Sequence, residues 1–402
     1  MNERQGRPAD AGRAVGRRAG TRRPEAATPA AAAFAPRAAT MRDVAGRAGV
    51  SVSTVSRVVN ANGYVKTGTR VLVEKAITEL GFVPSGAARG LVARRTGLLG
   101  LCLPDMGPAE ARYEPWPLRT PVELVEDAGH PPGGAFWGSR YFGEILRGAE
   151  YAAWEAGHAL AVAVARPPQA EARVRDLAGR VDGLAVVAGS LPDSLLEHVA
   201  HRVPVVLVAG RRPADGYDHV GVDNSEGIRV LVEHLVGAHG LRDIRFVAGR
   251  PGTRDDIDRF QGFCSASRAL GLPVPAEPFL RGDFTRDAGR RLAERVVAGH
   301  RSGRAALPDA LVCTNDETAL GFLDVLGAEG VRVPGDIAVT GFDGIDGART
   351  SSPRLTTVEQ PVADLGRLAV GVLRACLADP RLPRQDLVVP SRALVRESCG
   401  TH

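Results

Sequence analysis

A short segment near residue 52 carries side chains that suit contact with the major groove of DNA. Val52, Ser53, Thr54 and Arg57 fall on one side of a predicted helix, and they are small, polar or positively charged. A helix face of this composition enters the groove and reaches the base edges. The alternative is ordinary exposed helix surface, which the same residue types also form.

Two short helices joined by a tight turn would present this face. Thr40 and Asp43 have capping-box spacing, so a hydroxyl and a carboxylate can bind the free amides that begin a first helix. Gly49 supplies the turn because glycine takes a positive φ at little cost, and Ser51 can cap the second helix. Apolar residues at helical spacing would pack the pair together: Val44, Ala45, Ala48, Val55, Val58 and Val59. The pattern predicts a helix-turn-helix.

A third helix is predicted over 69–80, where one face is apolar at Val73, Ala76, Ile77 and Leu80. Gly81 ends it, so residues 39–83 form a small all-α headpiece. The next segment, 84–96, contains two glycines in one or two turns, and each costs about 1 kcal/mol relative to alanine. Its one large apolar group is Leu91. We expect a weak hinge helix that does not persist unaided.

The basic charge is concentrated in the first part of the chain. The protein has 51 Lys and Arg against 46 Asp and Glu, a formal charge of +5. Up to Arg95 there are 17 basic and 6 acidic residues, whereas the remainder is acidic overall. Positive charge beside a helix-turn-helix favours DNA, because each phosphate contact releases a condensed counterion. An arginine-rich surface from a G+C-rich gene is the alternative for the charge alone.

The composition argues against secreted and membrane proteins. Five widely spaced cysteines without a C-x-x-C pair are typical of reduced thiols: Cys102, Cys264, Cys313, Cys376 and Cys399. No run of about 18 apolar residues is present to span a membrane, and the N-terminus lacks the apolar segment of a secretory leader. We expect a cytoplasmic protein that makes no membrane contact.

Catalytic motifs are absent from the sequence. There is no glycine-rich phosphate loop of the G-x-G-x-x-G or Walker type, no H-E-x-x-H, and no recognisable Ser/His/Asp order. His198 and His201 have i, i+3 spacing, but two histidines without a third ligand are usually surface residues. We therefore expect a protein that is not an enzyme and that has no cofactor and no metal site.

Beyond Thr96, short apolar runs alternate with amphipathic segments. The runs are 98–103, 159–164, 183–187, 205–208, 220–222, 244–248, 310–313 and 337–340, and the helical segments include 144–156, 225–236 and 256–270. Alternation of this kind produces parallel sheets covered by helices on both faces. The fold class is therefore α/β, with two lobes of about five strands each and a cleft between them.

Several segments resemble the headpiece of the lactose-repressor (LacI/GalR) family of bacterial transcription factors. They are Asp43-Val-Ala45, Ala48-Gly-Val-Ser51, Thr54-Val-Ser-Arg-Val-Val-Asn60 and Gly81-Phe-Val-Pro84. The resemblance implies that Val52, Ser53 and Arg57 face base edges. It places Asn60, Tyr64 and Thr69 at the DNA backbone or the groove edge, and Leu91 as a wedge in the minor groove. The family usually has Ser or Asp where this chain has Lys66, so Thr67 would have to cap the third helix.

The resemblance continues to about Arg396 and implies a periplasmic-binding-protein-like core over 97–402. One lobe would contain 97–222 and 361–383, and the other 223–360 and 384–396, with crossings near Asp223, Gln360 and Pro383. Such cores bind small polar ligands at the carboxyl ends of their strands. By resemblance the effector-binding residues are Tyr141, Phe142, Arg259, Asn315, Asp343 and Gln360. Taken singly, Arg259 could be a surface charge and Asp316 a helix cap.

Two departures from the family pattern concern the cleft. Many sugar-binding members carry an aspartate after the fourth strand, where this chain reads Val208-Ala-Gly-Arg211. The second departure is an insertion of Pro- and Gly-rich sequence over 107–137, which either covers the cleft with Trp116 or Trp137 or is a disordered excursion. Residues 1–38 are expected to be a disordered basic tail, unless translation begins near Met41.

The expected function is that of a ligand-responsive transcriptional repressor. A homodimer would bind a near-palindromic, double-stranded operator, and a sugar or related metabolite would act as the effector. A dimer is expected because 391–402 lacks a leucine heptad. Two other classes remain open: an exported sugar-binding transport protein, which would lack the headpiece, and a nucleotide-dependent oxidoreductase, which would need a phosphate loop.

Overall fold

The computed structural model describes residues 39–60, 62–83, 95–105, 140–210 and 215–400. The chain divides into two compact units, which meet in sequence at Pro84 and Ser85. We call the first unit the headpiece and the second the core. The predicted tail over 1–38, the hinge leucine Leu91 and the 107–137 insertion lie outside the described residues.

The headpiece contains three helices: α1 (Met41–Ala48), α2 (Val52–Val59) and α3 (Thr67–Leu80). The predicted capping box is confirmed, because Thr40 Oγ1 accepts from the Asp43 amide at 3.4 Å and Asp43 Oδ2 accepts from the Thr40 amide at 2.8 Å. Gly49 ends α1 with φ 67°. Ser51 Oγ accepts from the Thr54 amide at 3.2 Å and begins α2. These local contacts set the turn between the two helices.

The headpiece core is small and aliphatic. Its buried members are Val44, Ala45, Val55, Val58, Val73, Ala76 and Phe82. Helix α3 begins two residues earlier than predicted, at Thr67, and Lys66 stands at its N-cap. No side-chain hydrogen bond caps this end of α3 in the described headpiece, so Thr67 does not replace the missing cap.

The core contains two six-stranded sheets. The first sheet has the order β11-β5-β4-β3-β1-β2 and the second β12-β10-β9-β8-β6-β7, and all pairs are parallel except the antiparallel pair of β10 and β12. The strands of the first are β1 (Leu98–Pro104), β2 (Ala159–Ala165), β3 (Gly183–Val187), β4 (Val205–Val208), β5 (Asp218–Val222) and β11 (Asp386–Val389). Those of the second are β6 (Ile244–Ala248), β7 (Leu280–Arg281), β8 (Ala310–Cys313), β9 (Ala338–Asp343), β10 (Thr356–Glu359) and β12 (Arg392–Leu394).

Helices connect these strands, as parallel pairing requires. The first lobe, built on the first sheet, has α4 (Arg140–Glu155), α5 (Ala170–Ala178), α6 (Asp193–Ala200) and α12 (Val362–Ala378). The second lobe has α7 (Asn224–His239), α8 (Arg254–Ala269), α9 (Arg286–Arg301), α10 (Asp316–Ala328) and α11 (Asp346–Thr350), and a 3₁₀ turn over Glu397–Cys399. None of the helices in the described ranges is long and apolar enough to cross a bilayer.

The last crossing between the lobes differs from the predicted one near Pro383. Strand β11 pairs with β5 and so belongs to the first lobe, although 384–396 were assigned to the second. The cause is Asp218, a buried carboxylate that accepts from the Arg384 side chain and the Gln385 amide, both at 2.8 Å. These bonds hold the chain against β5, and it passes to the second lobe only between β11 and β12.

Helices α4 and α12 approach each other at glycine. A Cβ at Gly148 would lie 1.8 Å from the Ala363 carbonyl oxygen, whereas a Cβ at Gly143, on the same helix, meets nothing within 4 Å. We expect Gly148→Ala to lower the free energy of unfolding by about 1–3 kcal/mol through overpacking. Gly143→Ala should raise it by about 0.5–1 kcal/mol through helix propensity. Urea unfolding of both variants measures the difference, and equal effects would contradict the close crossing.

Candidate functional site

Helix α2 presents the predicted DNA-reading face to solvent. Val52 is 42% exposed, Ser53 and Arg57 are exposed, and Thr54 is half-buried. Ser51 Oγ lies 2.8 Å from the hydroxyl oxygens of both Ser53 and Thr54, so these three side chains form one hydroxyl cluster at the start of the helix. The opposite face of α2 is buried in the headpiece. The exposed face is therefore the one that a groove can receive.

The other predicted DNA-contacting residues lie at or beyond the ends of the helices. Asn60 follows α2, and its side-chain nitrogen donates to Ser56 Oγ at 3.2 Å. Tyr64 is 87% exposed, and Thr69 is half-buried in the first turn of α3. An exposed tyrosine offers an apolar ring and a hydroxyl to a partner. Leu91 lies outside the described residues.

A cavity of about 290 Å³ lies between the two core lobes. The first lobe lines it with residues at the ends of β1, β3 and β4 and the start of α4. The second lobe lines it with residues that follow β6, β7 and β8, with the last residue of β9 and with residues of α8. Carboxyl ends of parallel strands are the usual ligand-binding edge of such sheets. Five of the six predicted effector residues line this cavity: Tyr141, Phe142, Arg259, Asn315 and Asp343.

Arg259 of α8 is one of three arginines that line this cavity, with Arg250 and Arg254, and it is only 4% exposed. Its Nε donates to Asn224 Oδ1 at 2.8 Å, and one terminal nitrogen donates to the Thr314 carbonyl at 2.7 Å. The guanidinium carbon stands 3.9 Å from the centre of the Phe342 ring. These contacts fix the plane of the guanidinium and use two of its five N–H donors. The other terminal nitrogen lies 3.6 Å from Asp343 Oδ1 and forms no hydrogen bond among the residues that the structure describes.

Asp343 ends β9 beside Arg259, with Oδ1 3.6 Å from a guanidinium nitrogen. Burial raises the pKa of the Asp343 carboxyl, and the nearby guanidinium opposes that rise. The backbone of Asp343 has φ 121°, a strained conformation of the kind often found at functional sites. The sixth predicted residue, Gln360, is not in the lining, but its Nε2 donates to Asp343 Oδ1 at 2.8 Å. Gln360 therefore positions this carboxylate.

Asn315 and Asp316 face different surroundings. Asn315 is the N-cap of α10: its Oδ1 accepts from the Thr318 amide at 3.1 Å, and its Nδ2 donates to the Phe284 carbonyl at 3.0 Å. Asp316 is fully buried, and its Oδ2 accepts from the Gly344 amide at 2.8 Å. The helix cap is thus Asn315, while Asp316 holds the turn that follows Asp343.

Three aromatic rings line the cavity. Tyr141 and Phe142 at the start of α4 contact each other edge to face, with ring centres 5.4 Å apart. Burial raises the pKa of the Tyr141 phenol, so its hydroxyl stays neutral and can donate. The third ring, Phe284, was not predicted from the sequence. It packs against Gly249, where a Cβ would lie 2.3 Å from the ring.

Asp255 joins the two lobes across the cavity and was also missed by sequence reasoning. Its Oδ1 accepts from the Gly210 amide of the first lobe at 2.9 Å and from Asn224 Nδ2 at 2.7 Å. In the sequence Asp255 appears as an acidic residue in the first turn of a helix. The helix dipole stabilises a carboxylate at that position, so no binding role is needed to explain it. Positive φ angles at Ala209 and Gly210 form the turn that brings the amide to it.

The lining is suited to binding a small polar molecule. Two carboxylates can accept hydrogen bonds from ligand hydroxyls, a fixed guanidinium can donate, and the aromatic rings supply apolar faces. Among the described lining residues there is no serine, cysteine or histidine.

Comparisons with known proteins find matches for both the headpiece and the core. Residues 40–85 match the family model described as bacterial regulatory proteins, lacI family, and residues 232–399 match that of a periplasmic binding protein-like domain. The HTH-type transcriptional repressor PurR of Klebsiella pneumoniae (strain 342) is 32% identical over 368 residues, covering 90% of this chain and 96% of that protein. PurR of Proteus mirabilis (strain HI4320) is 31% identical over 367 residues, with the same coverage.

Solved structures show the same architecture. A transcriptional regulator CelR–cellobiose complex has a TM-score of 0.62 at 28% identity, covering 90% of this chain and 99% of that one. A lac repressor dimer bound to operator and the anti-inducer ONPF has a TM-score of 0.72 at 24% identity, covering 91% and 100%, and supports the fold alone.

The helix-turn-helix, the basic headpiece and the relatives lead to one conclusion. The relatives at 31–32% identity are transcriptional repressors rather than enzymes, and they match this chain over 90% of its length. The chain belongs to the lacI family of bacterial regulatory proteins and is a DNA-binding transcriptional repressor.

Proposed function

We propose that this repressor binds a small polar effector between its core lobes and that the effector changes its affinity for operator DNA. The observation that carries the proposal is Arg259. Its guanidinium is buried and fixed by Asn224 and the Thr314 carbonyl, and its third nitrogen forms no hydrogen bond to the described residues at a cavity that both lobes line. A buried guanidinium in a fixed orientation, with N–H groups facing a cavity, is suited to two-point recognition of a ligand.

The effector class that fits is a sugar or a related polar metabolite. A cavity of about 290 Å³ lies just below the usual range for ligand sites, which suits a small ligand. The family aspartate that is missing after β4 has a counterpart, because the Asp255 carboxylate reaches the Gly210 amide in that turn from the other lobe. A solved relative is described as a complex with cellobiose, which supports a carbohydrate-like ligand here.

Closure of the lobes is the proposed route from effector to DNA. The hydrogen bond from the Gly210 amide to Asp255 joins the turn after β4 in the first lobe to the first turn of α8 in the second. A ligand that competes for this carboxylate, or that completes the contact, would favour one lobe angle over the other. Only such differential binding can shift an equilibrium between two arrangements. The predicted hinge over 84–96 would transmit the change to the headpiece.

The proposed DNA target is a near-palindromic, double-stranded operator read by two copies of α2. The exposed face that contains Val52, Ser53 and Arg57 would contact base edges in the major groove. Asn60, Tyr64 and Thr69 would contact the backbone or the groove edge. Two-fold symmetry in the protein would then be matched by two half-sites in the DNA.

The homodimer is proposed to form through the exposed apolar face of α4 and the neighbouring edge strand. Trp154 is 71% exposed, Tyr151 is 52% exposed one turn earlier, and Val162 is 44% exposed on β2. Strand β2 is an edge of the first sheet. Large apolar groups grouped at a sheet edge indicate an interaction surface. A second copy of the chain is the partner that a two-fold operator requires.

We expect Trp154→Glu to produce a monomer and to weaken operator binding by at least about tenfold, because half-site avidity is lost. Sedimentation equilibrium gives the mass, and fluorescence anisotropy gives the affinity. Val388→Glu is the control, since Val388 is 46% exposed on β11 at the opposite edge of the same sheet. A W154E protein that stays dimeric would place the interface elsewhere.

The effector proposal is tested by titration with a panel of sugars, nucleosides and organic acids. At least one compound should raise the melting temperature of the core and change operator affinity by about 5- to 150-fold, the usual range of allosteric coupling. Compounds that stabilise the protein but leave operator affinity unchanged would contradict the coupling. A panel in which nothing binds would contradict the site.

A further inference from the structure

Two histidines and a cysteine meet at the C-terminal end of α7. His234 and His239 belong to that helix, and Cys399 belongs to the 3₁₀ turn near the end of the chain. One ligand atom from each residue lies within 4.8 Å of the other two. Cys399 Sγ is 3.6 Å from His234 Nε2, and the two imidazole rings are 5.1 Å apart at an angle of 85°. The three side chains therefore converge on one point.

We propose that His234, His239 and Cys399 bind a zinc ion. Imidazole nitrogen and thiolate sulfur are the donors that zinc prefers. With Zn–S near 2.3 Å and Zn–N near 2.0–2.1 Å, two ligands at a tetrahedral angle are about 3.5 Å apart. The separation of 3.6 Å between Cys399 Sγ and His234 Nε2 matches that edge. A water molecule or another ligand would complete the fourth position.

The fold holds the cysteine against the helix. Cys399 is 3% exposed, and its Sγ lies 3.0 Å from Thr356 Oγ1. Ser398 Oγ donates to the Val339 carbonyl at 2.5 Å and fixes the preceding residue of the turn. Gly400 has φ 138°, and a Cβ there would lie 2.5 Å from the His239 ring. Glycine thus lets the chain pass directly against the imidazole, and the ligands are held before any ion binds.

Zinc binding at this cluster exchanges a proton for the metal. Burial raises the pKa of the Cys399 thiol, so the sulfur carries its proton in the metal-free protein. On binding, the S–H bond breaks, the Zn–S bond forms, and the proton passes to solvent water, while the two imidazoles bind in their neutral form. The bound ion would link the C-terminal turn to α7 within the second lobe.

This cluster is separate from the effector cavity. Asn224, which holds Arg259 and Asp255, is the first residue of α7, and His239 is the last. Fifteen residues at 1.5 Å each place the two ends about 22 Å apart. Metal binding at the far end is therefore an additional property of the second lobe, and its test does not depend on the identity of the effector.

The test uses the untagged full-length protein, loaded with zinc and passed over a desalting column. We expect one zinc ion per chain by atomic spectroscopy and a melting temperature that rises with zinc. Cys399→Ser and His239→Gln should each weaken zinc binding by at least about tenfold. Cys264→Ser is the matched control, because Cys264 is a half-buried cysteine outside the cluster, and it should bind zinc as the unmodified protein does.

Cobalt provides a second readout, and its first result is obtained on the unmodified protein. The unmodified protein with Co²⁺ should show a thiolate-to-cobalt charge-transfer band and intense visible bands of four-coordinate cobalt, and C264S should retain both. C399S should lose the charge-transfer band. Unmodified protein that binds no zinc, or that binds cobalt without a thiolate band, would overturn the proposal. Equal zinc binding by C399S and C264S would also overturn it.

Discussion

Replacing Arg57 with alanine is expected to weaken operator binding by about 5- to 150-fold, which corresponds to the 1–3 kcal/mol that a good arginine–base contact contributes. Arg57 is exposed on α2, and it forms no ion pair within 4 Å among the residues that the structure describes. The guanidinium can therefore turn to a base edge without breaking an internal salt bridge. Binding to unrelated duplex DNA should fall much less, because only one charge is lost.

The measurement is fluorescence anisotropy with two duplexes, one selected from a random pool by the unmodified protein and one scrambled. Lys75→Ala is the charge-matched control, since Lys75 is an exposed cation on α3 rather than on α2. It should lower both affinities only slightly, by the salt-dependent amount that one cation contributes. Equal losses on the two duplexes for Arg57→Ala would show that Arg57 binds phosphate and does not read bases.

The headpiece could be predicted closely because local contacts determine it. The capping box at Thr40 and Asp43, the turn at Gly49 and the cap at Ser51 connect residues no more than four positions apart. Sequence spacing reports such contacts directly. The beginning of α3 was wrong by two residues, because the side chain that usually marks this position is replaced by Lys66.

The strands of the core could also be predicted, because parallel strands buried on both faces appear as continuous apolar runs. Strands β3, β4 and β6 have the predicted bounds. The apolar runs do not indicate which strands lie at the edges of each sheet. Whether residues 386–389 pair with the first sheet or the second depends on Asp218, which lies more than 160 positions earlier in the sequence.

The sequence predicted several of the residues that line the cleft, but it did not predict the contacts between the lobes. Resemblance supplied Arg259, Asn315 and Asp343, which all line the cavity. It did not supply Asp255, whose bond to Gly210 crosses between lobes, or Phe284, which reaches the cavity from the loop after β7. No local sequence pattern marks Asp255 or Phe284 as a cavity residue, because their roles arise only when segments that are distant in the sequence meet.

Replacing Arg259 with methionine is expected to abolish the response to effector, with a loss of ligand affinity of at least about tenfold, because hydrogen bonds to a charged group contribute roughly 1.5–3 kcal/mol each. Operator binding without effector should change by less than about threefold, since the headpiece is a separate unit. Arg268→Met is the control, because Arg268 is exposed on the same helix and does not line the cavity. It should retain the full response.

The same variant should be less stable, and its loss of stability should depend on pH. Arg259 lowers the pKa of the buried Asp343, although burial still holds that pKa above its usual value. A carboxyl whose folded pKa is raised contributes stability below the unfolded value of about 3.9, and this contribution is lost as the pH rises through the folded pKa. Without the guanidinium the folded pKa rises further, and the ionised carboxylate loses the cation that lies 3.6 Å from it.

We therefore expect Arg259→Met to cost up to about 3–5 kcal/mol, as when one partner of a buried ion pair is removed. The cost should be larger at about pH 8 than at about pH 5, because more of the Asp343 carboxyl must be ionised at the higher pH. Adding Asp343→Asn should recover the pH-dependent part, since the amide cannot ionise. Urea unfolding of the single and double variants at both pH values measures this coupling. A cost that is independent of pH, or a double variant no more stable than R259M at the higher pH, would show that Arg259 does not compensate this carboxylate.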